Sequence, residues 1–235
     1  MTQQRRQPWW AIFQTRLGEV NDHRSLLIVA NDGIIATAGL LYGFAGAGAS
    51  NRLLIFTAAA ATISGAFGVG GAAWAEDAAL RESQLALVEA ETTELNTDPL
   101  GEFKELMDRW IAKGLKPETA EEVASQLSTY DALTAQLESE YGFTEPISTR
   151  LVVWTAVTSA LAYGIGGSIP FAISYFLPLD IETWVIVLAV IAALAFTSLW
   201  AARSTKSRPT TVLVRSLGVG MMTMAVSYLV AELLL

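Results

Sequence analysis

Residues 85–105 read LALVEAETTELNTDPLGEFKE, and this stretch decides what kind of protein the chain can be. Glu91 and Glu94 form one pair at i, i+3 spacing, and Glu102 and Glu105 form another beyond the break at Thr97-Asp98-Pro99. Residues three apart share a helix face, so each side of the break offers a carboxylate pair, and a tight turn at Pro99 can bring the two faces together. The surroundings extend the pattern. Between residues 76 and 146, 17 Asp and Glu stand against 5 Lys and Arg, a local net charge near −12, although the whole chain carries only −8. Like charges at this spacing oppose folding unless something neutralises them. Four or more carboxylate oxygens suit a hard or borderline divalent cation such as Mg²⁺, Ca²⁺, Mn²⁺ or Fe²⁺ rather than soft Cu⁺. The competing reading is a solvated acidic helix face, the commonest meaning of such a run.

Outward from this run the chain turns apolar. Across 235 residues, 52% are hydrophobic and the mean hydropathy is positive, too apolar for an ordinary soluble domain. A helix needs about 20 apolar residues to cross a bilayer, and five stretches come near this: 26–49, 53–75, 150–171, 183–202 and 211–234. Short turns at Ser50-Asn51-Arg52 and Leu177-Pro178-Leu179-Asp180 make hairpins of the first two and of the third and fourth. The expected fold is an all-α membrane protein, with five transmembrane helices and a three-helix acidic domain inserted between spans 2 and 3. Four segments follow: an interfacial amphipathic segment at 1–25, spans at 26–75, the acidic domain at 76–148 and the remaining spans at 149–235. The first segment combines Arg5, Arg6, Trp9, Trp10, Ile12 and Phe13, and it lacks the long apolar core and cleavage site of a signal peptide.

Orientation follows from the positive charges. Arg5, Arg6, Arg16 and Arg24 precede the first span and Arg203, Lys206 and Arg208 fill the fourth loop, whereas the opposite loops carry only Arg52. The N-terminus and acidic domain are thus expected in the cytoplasm and the C-terminus outside. Within the acidic domain, the first helix continues from the second span through Leu80, Leu85, Leu87 and Leu95. Asp98 caps the second, with Pro99 at its first position and Gly114 at its end. Pro117 opens the third, along which Val123, Leu127, Leu133, Leu137 and Tyr141 recur at roughly helical spacing.

Chemistry is bounded by what the chain lacks. With no cysteine and only His23, thiolate and His-based metal or catalytic sites are excluded or nearly so, and any metal must be held mainly by oxygen. No set of nucleophile, base and orienting group and no phosphate-cradling glycine loop is present, so an enzyme is not expected. Asp32, about six residues into the first span, reads in two ways. It is an ionisable group inside a membrane helix, which marks a pathway, or it caps a span that begins after Gly33. The glycines of the second and third spans, Gly65, Gly68, Gly70, Gly71, Gly164, Gly166 and Gly167, point to close helix packing or a dimer seam.

The segment Asn31-Asp32-Gly33-Ile34-Ile35-Ala36-Thr37-Ala38-Gly39 resembles the first span of bacterial vacuolar iron transporter family members. Leu85-Ala86-Leu87-Val88-Glu89, Glu94-Leu95, Asp98-Pro99, Gly114-Leu115 and Asp131-Ala132-Leu133 are similar to the family's cytoplasmic metal-binding domain, and Gly166-Gly167-Ser168-Ile169-Pro170 to its third span. The resemblance covers residues 24 to 234. It implies a homodimer in a bacterial inner membrane that exports Fe²⁺ or Mn²⁺ from the cytoplasm in exchange for protons, with Zn²⁺ and Co²⁺ as further substrates. No tightly bound cofactor and no nucleic acid are expected. The resemblance implies that Asp32 is the pathway aspartate and that Glu91, Glu94, Glu102, Glu105 and Glu140 are metal ligands. Gln136 stands where a ligand methionine is expected; Glu76 and Asp77, at the cytoplasmic end of the second span, read as a relay between the two sites, or Glu76 as an interfacial cap. The second span departs from the pattern. Plant-type members place a glutamate and a methionine where this chain has Ala61 and Val69, and the bacterial glutamate-containing signature reads Gly68-Val69-Gly70-Gly71-Ala72-Ala73-Trp74. Thr37 replaces a kinking proline. The alternative function is therefore a membrane-tethered metal-binding or sensing protein that no longer conducts.

Overall fold

The computed structural model describes residues 23–177, 179–205 and 209–234, and every element in it is helical. In chain order these are α1 (His23–Gly46), α2 (Asn51–Thr97), α3 (Pro99–Ala112), α4 (Pro117–Tyr141), α5 (Thr149–Phe176), α6 (Leu179–Thr205) and α7 (Pro209–Leu234). The amphipathic segment expected at 1–25 lies outside the described residues except for its last three, as do Lys206 and Arg208 of the fourth loop. Among the described residues α1, α2, α5 and α7 are long and apolar enough to cross a membrane, and α6 adds a shorter apolar stretch, Trp184–Trp200.

The chain divides into two compact units, one formed by residues up to Trp74 together with Val153 onward, the other by Ala75–Val152. Helix α2 contributes to both, since no proline interrupts its 47 residues before Asp98 and Pro99. In the apolar unit, α1 packs against α6 and α7. Its core joins Ile34, Ala38 and Leu41 of α1, Leu54 and Ala58 of α2, Ile186, Val190 and Leu194 of α6 and Met224 of α7.

Glycines set how closely the apolar helices approach. A Cβ on Gly33 would overlap the Tyr163 carbonyl, one on Gly166 the Ala30 carbonyl, and one on Gly65 the Tyr163 ring. These three positions seat α5 against α1 and α2, as expected where backbones must approach without a water-driven force between helices. Gly68 and Gly71 differ, because nothing lies within 4 Å of a Cβ at either position.

In the acidic unit, Asp98 caps α3 by accepting from the Gly101 amide at 2.9 Å, with Pro99 at the first helical position. Gly114, at φ +101°, and Pro117 separate α3 from α4. Leu106, Ala124 and Ala135 are buried, with Phe103, Met107, Trp110 and Leu127 packed around them. Helix α4 is not one straight helix. Asp131 has extended backbone (φ −163°, ψ 94°) and restarts the helix, accepting from the Thr134 amide at 3.1 Å and the Thr134 hydroxyl at 2.7 Å. The single third helix expected from the sequence is thus two segments. The second of them, from Ala132 to Tyr141, carries Gln136, Ser139 and Glu140, and the break lets it take its own direction.

Candidate metal centre

The turn at Thr97-Asp98-Pro99 folds the end of α2 back on α3, and both expected carboxylate pairs contribute to what gathers there. Glu91 and Glu94 sit one turn apart on α2, and Glu102 is in the first turn of α3. Ligand oxygens of Glu91, Glu94 and Glu102 all lie within 4.8 Å of one another, with Glu91 and Glu102 buried and Glu94 exposed. Glu91 is only 1% exposed, and its Oε1 has no hydrogen-bond partner within the protein. A buried carboxylate oxygen with nothing to satisfy it costs on the order of 1 to 3 kcal/mol, more if charged, unless an ion or proton completes it.

The electrostatics express the same tension. Burial, followed by a hydrogen bond to Glu102 and repulsion from Glu102, Glu140 and Glu94, pushes the Glu91 carboxyl up to about 7. Burial also raises Glu102, with Glu105 and Glu94 adding to the effect and the bond to Glu91 and the Arg109 charge opposing it. Nearby Tyr141 is pushed up to about 12 by burial, a hydrogen bond to Glu140 and the negative charge around it. The cluster can thus exchange protons for a cation near neutral pH, with the exposed Glu94 as the side open to solvent.

Glu105 and Glu140 are placed differently. Both bond to Nη2 of Arg109, Glu105 at 3.2 Å and Glu140 more closely. Arg109 Nη1 donates to Gln136 Oε1 at 3.1 Å and to Ser139 Oγ at 3.3 Å. Gln136, 2% exposed, in turn donates through Nε2 to the Glu102 carbonyl at 2.7 Å and to Glu102 Oε2 at 2.8 Å. The two outer carboxylates therefore share a guanidinium, and the glutamine amide links that guanidinium to the inner triad. Sequence reasoning missed Arg109. Its i, i+4 spacing from Glu105 was readable, but Glu140 lies 31 residues away across the α4 break. Glu76 and Asp77 lie on α2 about four turns, some 21 Å of helix rise, before Glu91.

Asp32 belongs to the apolar unit. Because α1 begins at His23, Asp32 is inside the helix and not at its cap. It is exposed on the surface of the single chain. Its neighbour Asn31 accepts from the Thr197 hydroxyl of α6 at 2.7 Å. One turn further on, Thr37 is fully buried with its hydroxyl 3.4 Å from that of Thr62, and both oxygens lie within 3 Å of where a Cβ on Gly167 would be. Ala61 and Val69 supply neither a carboxylate nor a thioether from α2.

A family model described as the VIT family matches residues 23–232. The chain is 29% identical over 165 residues to a protein named vacuolar iron transporter from Acanthamoeba castellanii, covering 70% of this chain and 60% of that protein. It is 28% identical over 189 residues to vacuolar iron transporter 2 of Oryza sativa subsp. japonica, covering 79% and 76% of the two chains. It is 24% identical over 212 residues to vacuolar iron transporter 1 of Tulipa gesneriana, covering 89% and 85%. The match thus spans less than two thirds of the Acanthamoeba protein and most of the two plant proteins.

Proposed function

The chain belongs to the VIT family, and from that premise we propose that it is a transporter that moves a divalent metal ion, Fe²⁺ or Mn²⁺, out of the cytoplasm in exchange for protons. It is an integral membrane protein and not an enzyme. The observation that carries the reading is the unpartnered Oε1 of Glu91, buried among Glu94 and Glu102. A buried oxygen facing two further carboxylates suits a hard or borderline divalent cation, and water can complete its coordination. Loading requires Glu91 to lose its proton, so acidification releases the ion, which is the physical basis of proton exchange.

In this reading the acidic unit faces the cytoplasm and captures the ion, and Asp32 is the carboxylate on the route through the membrane. The apolar helices make five spans, α6 included. Asp32 exposed on a membrane helix would cost about 2.5 to 3.5 kcal/mol against lipid, which supports its being covered by a second copy of the chain. The open faces at Gly68 and Gly71 offer such a copy a close approach.

A second reading, a tethered metal binder that does not conduct, is favoured by Ala61, Val69 and Ala73 on α2. Asp32→Ala separates the two. Under the transport reading, Mn²⁺ flux into proteoliposomes disappears while equilibrium Mn²⁺ binding stays within about twofold of wild type. If wild type itself binds Mn²⁺ but carries none, the second reading holds.

A further inference from the structure

We propose that Arg109 acts as a built-in counter-cation that occupies the Glu105 and Glu140 carboxylates, limiting the acidic unit to one tightly held divalent ion at Glu91, Glu94 and Glu102. This rests on the capture reading above and divides the five glutamates that the resemblance marks as ligands into two groups with different work.

Geometry separates the groups. Inner-triad oxygens lie within 4.8 Å of one another and include the buried Glu91 Oε1, which has no hydrogen-bond partner. Each outer carboxylate instead meets the same nitrogen, Arg109 Nη2, from a different helix, Glu105 from α3 and Glu140 from α4. Two carboxylate oxygens converging on one nitrogen are placed as they would be around one metal ion, so the guanidinium stands where a second cation would sit. Arginine suits this role because it cannot lose its charge in the accessible pH range and presents a fixed fork of donors.

Its other nitrogen adds a positioning function. By donating to Gln136 Oε1, Arg109 fixes which end of that amide faces Glu102, so that Nε2 holds one Glu102 oxygen. The unsatisfied valence is thereby concentrated on Glu91, and the triad keeps its spacing while empty. Desolvation sharpens the effect, because the Arg109 side chain is only 19% exposed and removal of its charge would leave two carboxylates facing each other beside the triad.

The test is Mn²⁺ binding by the full-length protein in detergent, read as tight-class stoichiometry and affinity for wild type, Arg109→Gln, Arg109→Lys and Glu105→Gln/Glu140→Gln. Far-UV circular dichroism confirms that each variant keeps its helix content. Wild type should bind one Mn²⁺ per chain, Arg109→Gln two, and Arg109→Lys one. The double glutamine variant should stay within a few-fold of wild-type affinity, because neither carboxylate is a ligand of the tight ion and Arg109 already offsets one of their two charges. The proposal is overturned if Arg109→Gln still binds one ion, the outcome for a strut that only joins α3 to α4. It is also overturned if the double variant loses wild-type binding at least tenfold, since Glu105 and Glu140 would then be ligands. If Arg109→Gln does not fold, the double variant decides alone. A wild type that binds no Mn²⁺ overturns the capture reading, and if Arg109→Gln is equally silent it overturns both.

Discussion

In the acidic unit, Glu91, Glu94 and Glu102 converge from two helices of one chain on a buried, unsatisfied oxygen, whereas in the apolar unit Asp32 stands exposed with no second carboxylate supplied by α2. The contrast teaches where the chain is complete. The carboxylate cluster is assembled from residues of a single chain, because a tight turn at Pro99 brings the three glutamates together. The apolar unit differs: α1 offers one carboxylate, and the polar contacts described near it pair the Thr37 and Thr62 hydroxyls and the Thr197 hydroxyl with the Asn31 amide oxygen.

The largest effect separates the two regions outright. Glu91→Gln/Glu94→Gln/Glu102→Gln should weaken Mn²⁺ binding at least about 100-fold by calorimetry, since three ionised ligands are replaced by neutral amides. Asp32→Ala should leave that binding nearly unchanged. If Asp32→Ala weakened it equally, the division between capture and passage would collapse.

Packing gives the next test. Gly166→Leu should destabilise the apolar unit by about 1 to 3 kcal/mol or more, measured as a fall in detergent melting temperature, because the added side chain meets the Ala30 backbone. Gly68→Leu meets open space in the single chain and should leave the monomer's stability unchanged. A loss of self-association in Gly68→Leu would place a second copy on that face.

Acidity should move the acidic unit in two opposite directions. With Glu91 titrating near 7, Mn²⁺ affinity should fall about tenfold between pH 8 and pH 6, one proton competing with one ion. Metal-free stability should do the reverse. A carboxyl raised in the folded state contributes stability that is full below its unfolded value, near 4.5, and is lost as pH rises through 7, so the metal-free melting temperature should climb from pH 8 to pH 5. Glu102, also raised, acts in the same sense. Asp131, lowered by its bonds to Thr134, acts only below its usual range and does not disturb this window. A flat profile in both measurements would remove Glu91 from the exchange.

The smallest effect concerns α2. Val69→Met restores the thioether that plant-type members carry, and a severalfold rise in Mn²⁺ flux with unchanged binding would show that its loss slows passage. No change would mean that this chain's route does not use that position.

Much of this was legible in the sequence because the signals were local. The run from Asn51 to Thr97 contains no proline, and α2 follows it through Leu80, Leu85, Leu87 and Leu95. Asp98 and Pro99 announced the start of α3, and the i, i+3 glutamates supplied the three carboxylates that the turn gathers. Asp32 had two readings until the start of α1 at His23 put it inside the helix. Other features were less accessible. The six-residue interval between Leu127 and Leu133, with Asp131 three residues before Thr134, signalled a helix restart, but the apolar spacing on either side masked it. The Arg109 network was not readable, because its partners Gln136, Ser139 and Glu140 lie 27 to 31 residues away and meet it only through that restart.

The most direct test of the account is Mn²⁺ entry into proteoliposomes containing the wild-type chain, recorded together with internal pH under an imposed proton gradient. The account predicts metal movement in one direction coupled to proton movement in the other, saturating at low Mn²⁺ and slowed in Glu91→Gln at the same concentration. Vesicles that show no Mn²⁺ entry, from protein that still binds the ion in detergent, would contradict it.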